Sequence, residues 1–236
     1  MNKQKIRLKI ADIRREIIHT PKSRFKIYRS KDEGFSRMEK MYDKKLSYEE
    51  NAMQFYKYFH TTFEALRYKI IAKCKKLLLK GFTGRNRLEA ERTIYQSTDQ
   101  AGRSVCGSTI EMFLCFFFKK AGITTEMGID GRDLCVYRDD GTKLYVNAKH
   151  TVREKTNDND CPIKVCWGYP NNSCAGFSRQ GLIEWATPDS ILIIVHPEGR
   201  NDAQNVANQM DLNVKFLSLD SGIKKLKVGF PEIAVA

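Results

Sequence analysis

What this chain lacks narrows its chemistry first. It contains no run of about 18 apolar residues, so no membrane-spanning helix is expected. The nearest stretch, MFLCFFF at 112–118, is too short and is bracketed by Glu111 and by Lys119 and Lys120. The opening MNKQKIRLKI has neither the apolar centre nor the small-residue cleavage site of a secretory signal, which makes the cytoplasm the expected location. No Gly/Ser or Pro tract suggests a disordered half, and no internal repeat is visible. There is no P-loop, no GxGxxG and no Ser-His-Asp order, which removes the common nucleotide-binding and hydrolase templates.

Cysteine is present but unpaired in pattern. Cys74, Cys106, Cys115, Cys135, Cys161, Cys166 and Cys174 form an odd set without a CxxC pair, which suits a reducing compartment. Cys161, Cys166 and Cys174, with His150 nearby, are zinc-ligand types, but their spacings match no ordinary structural site. Cys115 and Cys135 sit among apolar residues and read as small core side chains.

At 236 residues, with 42% hydrophobic and 29% charged residues, the chain can bury a core without disulfide support. Its net charge of +13 is uneven. Residues 1–100 hold 25 Lys and Arg against 12 Asp and Glu, whereas residues 101–236 hold 16 of each. That division predicts a basic, mainly helical N-terminal region, 1–100, attached to an α/β core, 101–236. A basic segment of this kind suits a polyanion, although a lysine-rich solvated helical face would give the same composition.

Helical periodicity dominates the first hundred residues. Ile6, Ile10, Ile13 and Ile17 recur at three to four residues, and Phe55, Phe59, Phe63, Leu66, Ile70 and Leu77 extend a second pattern over about 48–79. Pro21 and SKDEG at 30–34 read as separators. Phe25, Tyr28, Tyr56, Tyr58 and Tyr68 interleave with basic residues, in positions for nucleic-acid contact or, more commonly, for a helical core. Further on, helices are expected at 86–95 and, after Gly102, at 104–120, the latter closed by Gly122.

Strands at 133–138 and 143–148 flank Asp139-Asp140-Gly141, a hairpin signal. Strands at 163–167, 191–196 and 214–219 follow, with a helix at 201–210 between the last two. Strand, helix, strand implies a parallel pair. The fold class expected is therefore α/β, a mixed β-sheet flanked by helices.

The hairpin carries the chemistry. Asp133 heads its first strand and Lys149 follows its second, so an acid and an amine should lie side by side. Phosphodiester hydrolysis with a hard cation needs oxygen ligands, a polarised water and positive charge for the pentavalent transition state. Asp133 would ligate the cation, the carbonyl of Ala148 would add a second oxygen, and Lys149 would orient water and offset developing charge. Glu111 offers another carboxylate from the preceding helix.

These residues resemble the skeleton of the PD-(D/E)xK nuclease superfamily, with Glu111, Asp133 and Asn147-Ala148-Lys149 in the matching positions. AKHTVREK at 148–155 resembles the K-[ST]-[ST]-x-R-E-R element of type II restriction endonucleases that cleave CCGG or CC and GG about a central base pair. QAGRSVCGSTIEMFLCFFFKKAGI at 100–123 is similar to the S-R-A-G-x-S-x-E helix and A-G-I turn of the same group. The resemblance spans about 95–220 and implies a restriction-endonuclease-like core, Mg²⁺ as cofactor, double-stranded DNA as substrate and a homodimer on a two-fold symmetric site.

It further implies that Arg153 donates to guanine O6 and N7, that Glu154 accepts from cytosine N4, and that Lys155 contacts a second guanine. Lys155 replaces the group's arginine and loses its planar fork. Asn147 stands where the superfamily has Asp or Glu, so its amide oxygen would ligate without charge. Glu111 is the expected compensating acid, with Asp158 and Asp160 as alternatives near Pro162, where the group places a downstream acid. Without the resemblance, Asp133 reads as an ordinary strand-start residue, Glu111 as a surface glutamate, and Arg153, Glu154 and Lys155 as a solvated helix start. Two other functions compete with a restriction enzyme: a non-catalytic basic nucleic-acid-binding protein, and a related nuclease of DNA repair or RNA processing.

Overall fold

The computed structural model describes residues 3–128, 133–137, 140–154, 163–166, 174–177, 179–187, 189–195 and 200–228. The chain forms two compact units, Met1–Lys40 with Tyr56–Cys106, and Met41–Phe55 with Gly107–Ala236. One division falls at the end of a short helix and the other two inside long helices.

The first unit is helical. Helix α1 (Lys3–His19), a 3-10 turn (Lys26–Tyr28) and most of α2 (Lys31–Met41) precede its share of α3 (Tyr48–Leu78) and α4 (Gly84–Lys120). The isoleucine stripe of α1 is its core: Ile6, Ile10, Ile13 and Ile17 are buried against Leu66, Ile70, Cys74 and Leu78 of α3 and Ala90 and Ile94 of α4. Phe25 belongs to the same core, and the Tyr28 hydroxyl donates to the Phe59 carbonyl. Leu77, read from the sequence as part of the apolar stripe, is instead 50% exposed, and Leu78 is buried in its place.

Residues 30–34 are not a separator but the start of α2. The Glu33 amide donates to Ser30 Oγ at 3.3 Å, so the Ser-x-x-Glu pattern caps the helix. Helix α3 opens on the complete form of this device: the Glu50 amide donates to Ser47 Oγ (3.1 Å) and the Ser47 amide to Glu50 Oε2 (2.8 Å). That backbone donor also lowers the Glu50 carboxyl below its ordinary pKa.

The two helices expected between 86 and 120 are one. Helix α4 runs unbroken from Gly84 to Lys120, through Gly102 and Gly107. Each internal glycine costs about 1 kcal/mol relative to alanine, which packing elsewhere along a helix of this length offsets.

The second unit is α/β. Its main sheet has the order β1 (Thr125–Met127), β2 (Leu134–Tyr137), β3 (Lys143–Lys149), β7 (Ser190–Ile194), β8 (Phe216–Ser218). β1, β2 and β3 pair antiparallel, whereas β3, β7 and β8 pair parallel, so the sheet is mixed. Helix α6 (Arg200–Gln209) makes the β7 to β8 connection, as the strand-helix-strand pattern predicts. A separate antiparallel sheet joins β4 (Thr151–Glu154), β5 (Ile163–Cys166) and β6 (Cys174–Phe177). Helices α5 (Arg179–Trp185) and α7 (Leu219–Lys227) complete the described elements. Strands β1, β4 and β6 and helices α5 and α7 have no counterpart in the sequence reading.

Residues 112–118 are all buried, so this part of α4 is a core helix, apolar on every side. Phe55 stacks on Phe117 with ring centroids 5.3 Å apart and 5° between planes, and Phe113 and Phe116 meet Phe55 edge-on. Among the described residues no helix is long and apolar enough to cross a membrane.

Candidate functional site

The site follows from one hairpin. Leu134 pairs with Val146 and Cys135 with Tyr145, so Asp133, one residue ahead of β2, comes opposite Asn147. Gly141 closes the turn at φ +80°, a left-handed conformation that glycine adopts without strain, and Asp140 accepts from the Thr142 amide at 2.8 Å. Side chains two apart on a strand share a face, which puts Asn147 and Lys149 on the same side of β3.

Asp133 and Lys149 meet as the sequence predicts. Lys149 Nζ is 3.2 Å from Asp133 Oδ2, and the Ala148 amide donates to that oxygen at 2.8 Å. The side chains are 14% and 22% exposed for Lys149 and Asp133, so the pair is shielded yet reachable from solvent. Both contacts fall on Oδ2. On its other edge β3 continues its parallel pairing, with the Val195 amide donating to the Lys149 carbonyl at 2.9 Å.

Within a strand the N–H and C=O of one residue point the same way. The Ala148 carbonyl is therefore directed to the side on which its amide meets Asp133, beyond the start of β2. Asn147 is 5% exposed, and its Oδ1 is buried without a hydrogen-bond partner among the described residues. An unmet buried acceptor costs about 1–3 kcal/mol and points to a water or an ion.

Carboxylate, amide oxygen and backbone carbonyl form an all-oxygen donor set of the kind Mg²⁺ takes. Asp133, Asn147 and Ala148 thus fit a hard cation, with one formal negative charge among them. Among the described residues no group of three or more His, Cys, Asp or Glu side chains gathers as a metal site. Glu111 lies half-buried on α4. Asp158 and Asp160, the other acids considered for the charge missing at Asn147, lie outside the described residues, as does Lys155.

Arg153 and Glu154 are consecutive residues of β4, with Arg153 opposite Lys164 and Glu154 opposite Ile163. They extend a strand and do not start a helix. Only His150 separates β3 from β4, and its ring is 2% exposed. Sequence reading missed two features here: the clamp of the Ala148 amide on Asp133, and the buried acceptor of Asn147. Hairpin register foretells the first, since Asp133 immediately precedes β2; the second arises from tertiary burial alone. Comparison with protein-family models, curated proteins and solved structures gives no match.

Proposed function

We propose that this protein is a Mg²⁺-dependent, sequence-specific endonuclease of double-stranded DNA, with a restriction-endonuclease-like core and the activity of a type II restriction enzyme. The observation that carries the reading is the Lys149–Asp133 pair at neighbouring strand ends, beside the buried, unpartnered oxygen of Asn147.

Asp133, Asn147 and the Ala148 carbonyl would hold the cation. When bound, Mg²⁺ supplies Lewis acidity and lowers the pKa of a coordinated water. Lys149 then directs its N–H groups at the attacking oxygen and at the charge that develops on phosphorus-bound oxygen. In the resting arrangement Asp133 orients Lys149, so the amine is already positioned when a phosphodiester arrives. Glu111 serves as the additional carboxylate. Arg153, Glu154 and Lys155 act as base readers, and a homodimer on a two-fold symmetric site would present two such sets.

The test is digestion of mixed-sequence duplex DNA in Mg²⁺ followed by sequencing of the ends, with Lys149→Ala and Asp133→Ala as controls. Each variant should lose at least about 10²-fold in cleavage while retaining DNA binding. Arg153→Ala should relax site preference more than it weakens binding to random sequence. Wild-type protein that binds duplex DNA but never cuts it in Mg²⁺ or Mn²⁺ would replace this reading with a non-catalytic DNA-binding protein.

A further inference from the structure

The first unit holds 24 Lys and Arg against 9 Asp and Glu, a net charge of +15, although the whole chain carries +13. Most of its acids are already committed within the unit. Glu16 pairs with Lys73, Glu64 and Asp99 with Arg67, Glu91 with Arg87, Asp12 with Arg15, and Glu33 with Lys26 and Arg29. The positive excess is therefore not cancelled locally, and its distribution decides what it can do.

Helices α1 and α3 meet at the Glu16–Lys73 ion pair. Past the end of α1, Phe25 lies under Lys69, and Tyr28 against Phe63 and Phe59, of α3. The Glu16–Lys73 pair marks the seam between them. One helical turn is 3.6 residues, so Lys5 and Lys9 continue the Glu16 row of α1, while Lys69 and Lys76 continue the Lys73 row of α3 and Lys80 lies just past its end. Lys5, Lys9, Lys69, Lys76 and Lys80 are all exposed. Beside the seam, Lys69, Lys73, Lys76 and Lys80 follow one another at about one-turn spacing on and just past α3, and Lys5 and Lys9 at the same spacing on α1, with Asp12 and Glu16 as the acids on the α1 row.

We propose that this α1/α3 seam is a docking surface for the phosphate backbone of duplex DNA, gripping it without regard to sequence. It deepens the nuclease reading, on which it rests for the identity of the polyanion. A membrane surface is the weaker match, because an interfacial helix needs its apolar face for lipid and the α1 isoleucines are consumed in the unit's core. Among the described residues Leu8 is the one exposed large apolar residue of α1, and Tyr68 and Leu77 are those of α3 within this unit, too few for an apolar face. Lysines as point charges on flexible stems suit phosphate contact and carry no base-reading geometry.

The experiment measures full-length protein binding to a mixed-sequence 30-base-pair duplex in EDTA, across salt concentrations, where cleavage plays no part. Each phosphate contact contributes about 0.9 to the slope of log K against log salt, so replacing Lys9, Lys76 and Lys80 with Gln should lower that slope by about 2 to 3. The loss should be equal on every sequence, and the Lys→Arg triple variant should keep the slope. Because these side chains are exposed, an unchanged thermal midpoint confirms folding; a second set, Lys44→Gln with Lys45→Gln in the other unit, should leave the slope alone. An unchanged slope in the folded Lys9, Lys76, Lys80 variant overturns the proposal, even if the wild type cleaves DNA. Binding to vesicles containing 30% phosphatidylserine that is lost in the triple variant, with DNA binding intact, overturns it in favour of a lipid surface. Retained seam-dependent DNA binding in a protein that never cuts would sink the nuclease reading and leave this one standing.

Discussion

Asn147→Asp adds the carboxylate the proposed metal site lacks and should make stability depend on divalent cations. The register sets position 147 opposite Asp133, where facing side chains on adjacent strands lie about 5 Å apart. At an effective dielectric of about 20, two carboxylates at that distance repel by about 3 kcal/mol. Lys149, two residues along the same strand and so about 6.6 Å away, returns about 2.5 kcal/mol. The Coulomb terms nearly cancel. What remains is the cost of burying a further charge at a position only 5% exposed, which amounts to several kcal/mol before relaxation. A net loss of about 2–4 kcal/mol in EDTA is expected, or about 4–16 °C in Tm for a chain of this size. A cation bound between Asp133 and the new carboxylate reverses that loss, by about 2.7 kcal/mol at 100 times its Kd. Differential scanning calorimetry in EDTA and in 10 mM Mg²⁺, at matched ionic strength, reads both quantities. The new carboxyl would titrate above its ordinary range, so the deficit should also shrink as pH falls through that raised pKa. A variant as stable as wild type in EDTA, or one whose Mg²⁺ response equals the wild type's, would refute the assignment of these oxygens to a cation.

Three other perturbations probe the scaffold. Phe117→Ala removes a fully buried ring that stacks on Phe55 and meets Phe116 and Tyr48 edge-on, and should cost about 3–5 kcal/mol in urea unfolding. Burial, aided by Glu49, raises the Asp220 carboxyl pKa despite the Tyr48 amide it accepts at 3.0 Å. Its ionised form is thus disfavoured in the folded state, and Asp220→Asn should match or exceed wild-type Tm at pH 7, the advantage fading as pH drops through the raised pKa. Burial also pushes the Cys74 thiol up to about 11, so peptide mapping after native alkylation at pH 8 should find Cys74 unmodified.

The parts of the fold legible in the sequence are those where one residue pattern has one physical solution. Asp140-Gly141 between alternating runs admits little but a tight hairpin, and the apolar run at 191–194 becomes β7, buried throughout. Ambiguity entered where a local signal has two outcomes. Gly102 can end a helix or be carried by one, and the choice belongs to the 37 residues around it. Ser30 and Glu33 sit in a stretch rich in turn formers, yet Ser30 caps a helix through the Glu33 amide, and the helix that follows decides between the two.

The site divides on the same principle. Asp133 and Lys149 could be placed together because strand pairing is a local rule, and a one-residue slip would have moved both off the shared face. Asn147 could not be understood that way. Under the resemblance it is a motif position with the wrong residue, a missing charge that asks for a distant acid. Buried opposite Asp133, its amide presents an oxygen that no hydrogen bond uses, whereas an ionised carboxylate in the same place would add a charge to a site 5% exposed. On the proposed nuclease reading, asparagine in place of a carboxylate would exchange affinity for a cation against stability in its absence. The Asp133 carboxylate already takes the Ala148 amide and Lys149 on one oxygen. On that proposed reading, a neutral ligand at 147 would let the strand end fold before a cation arrives.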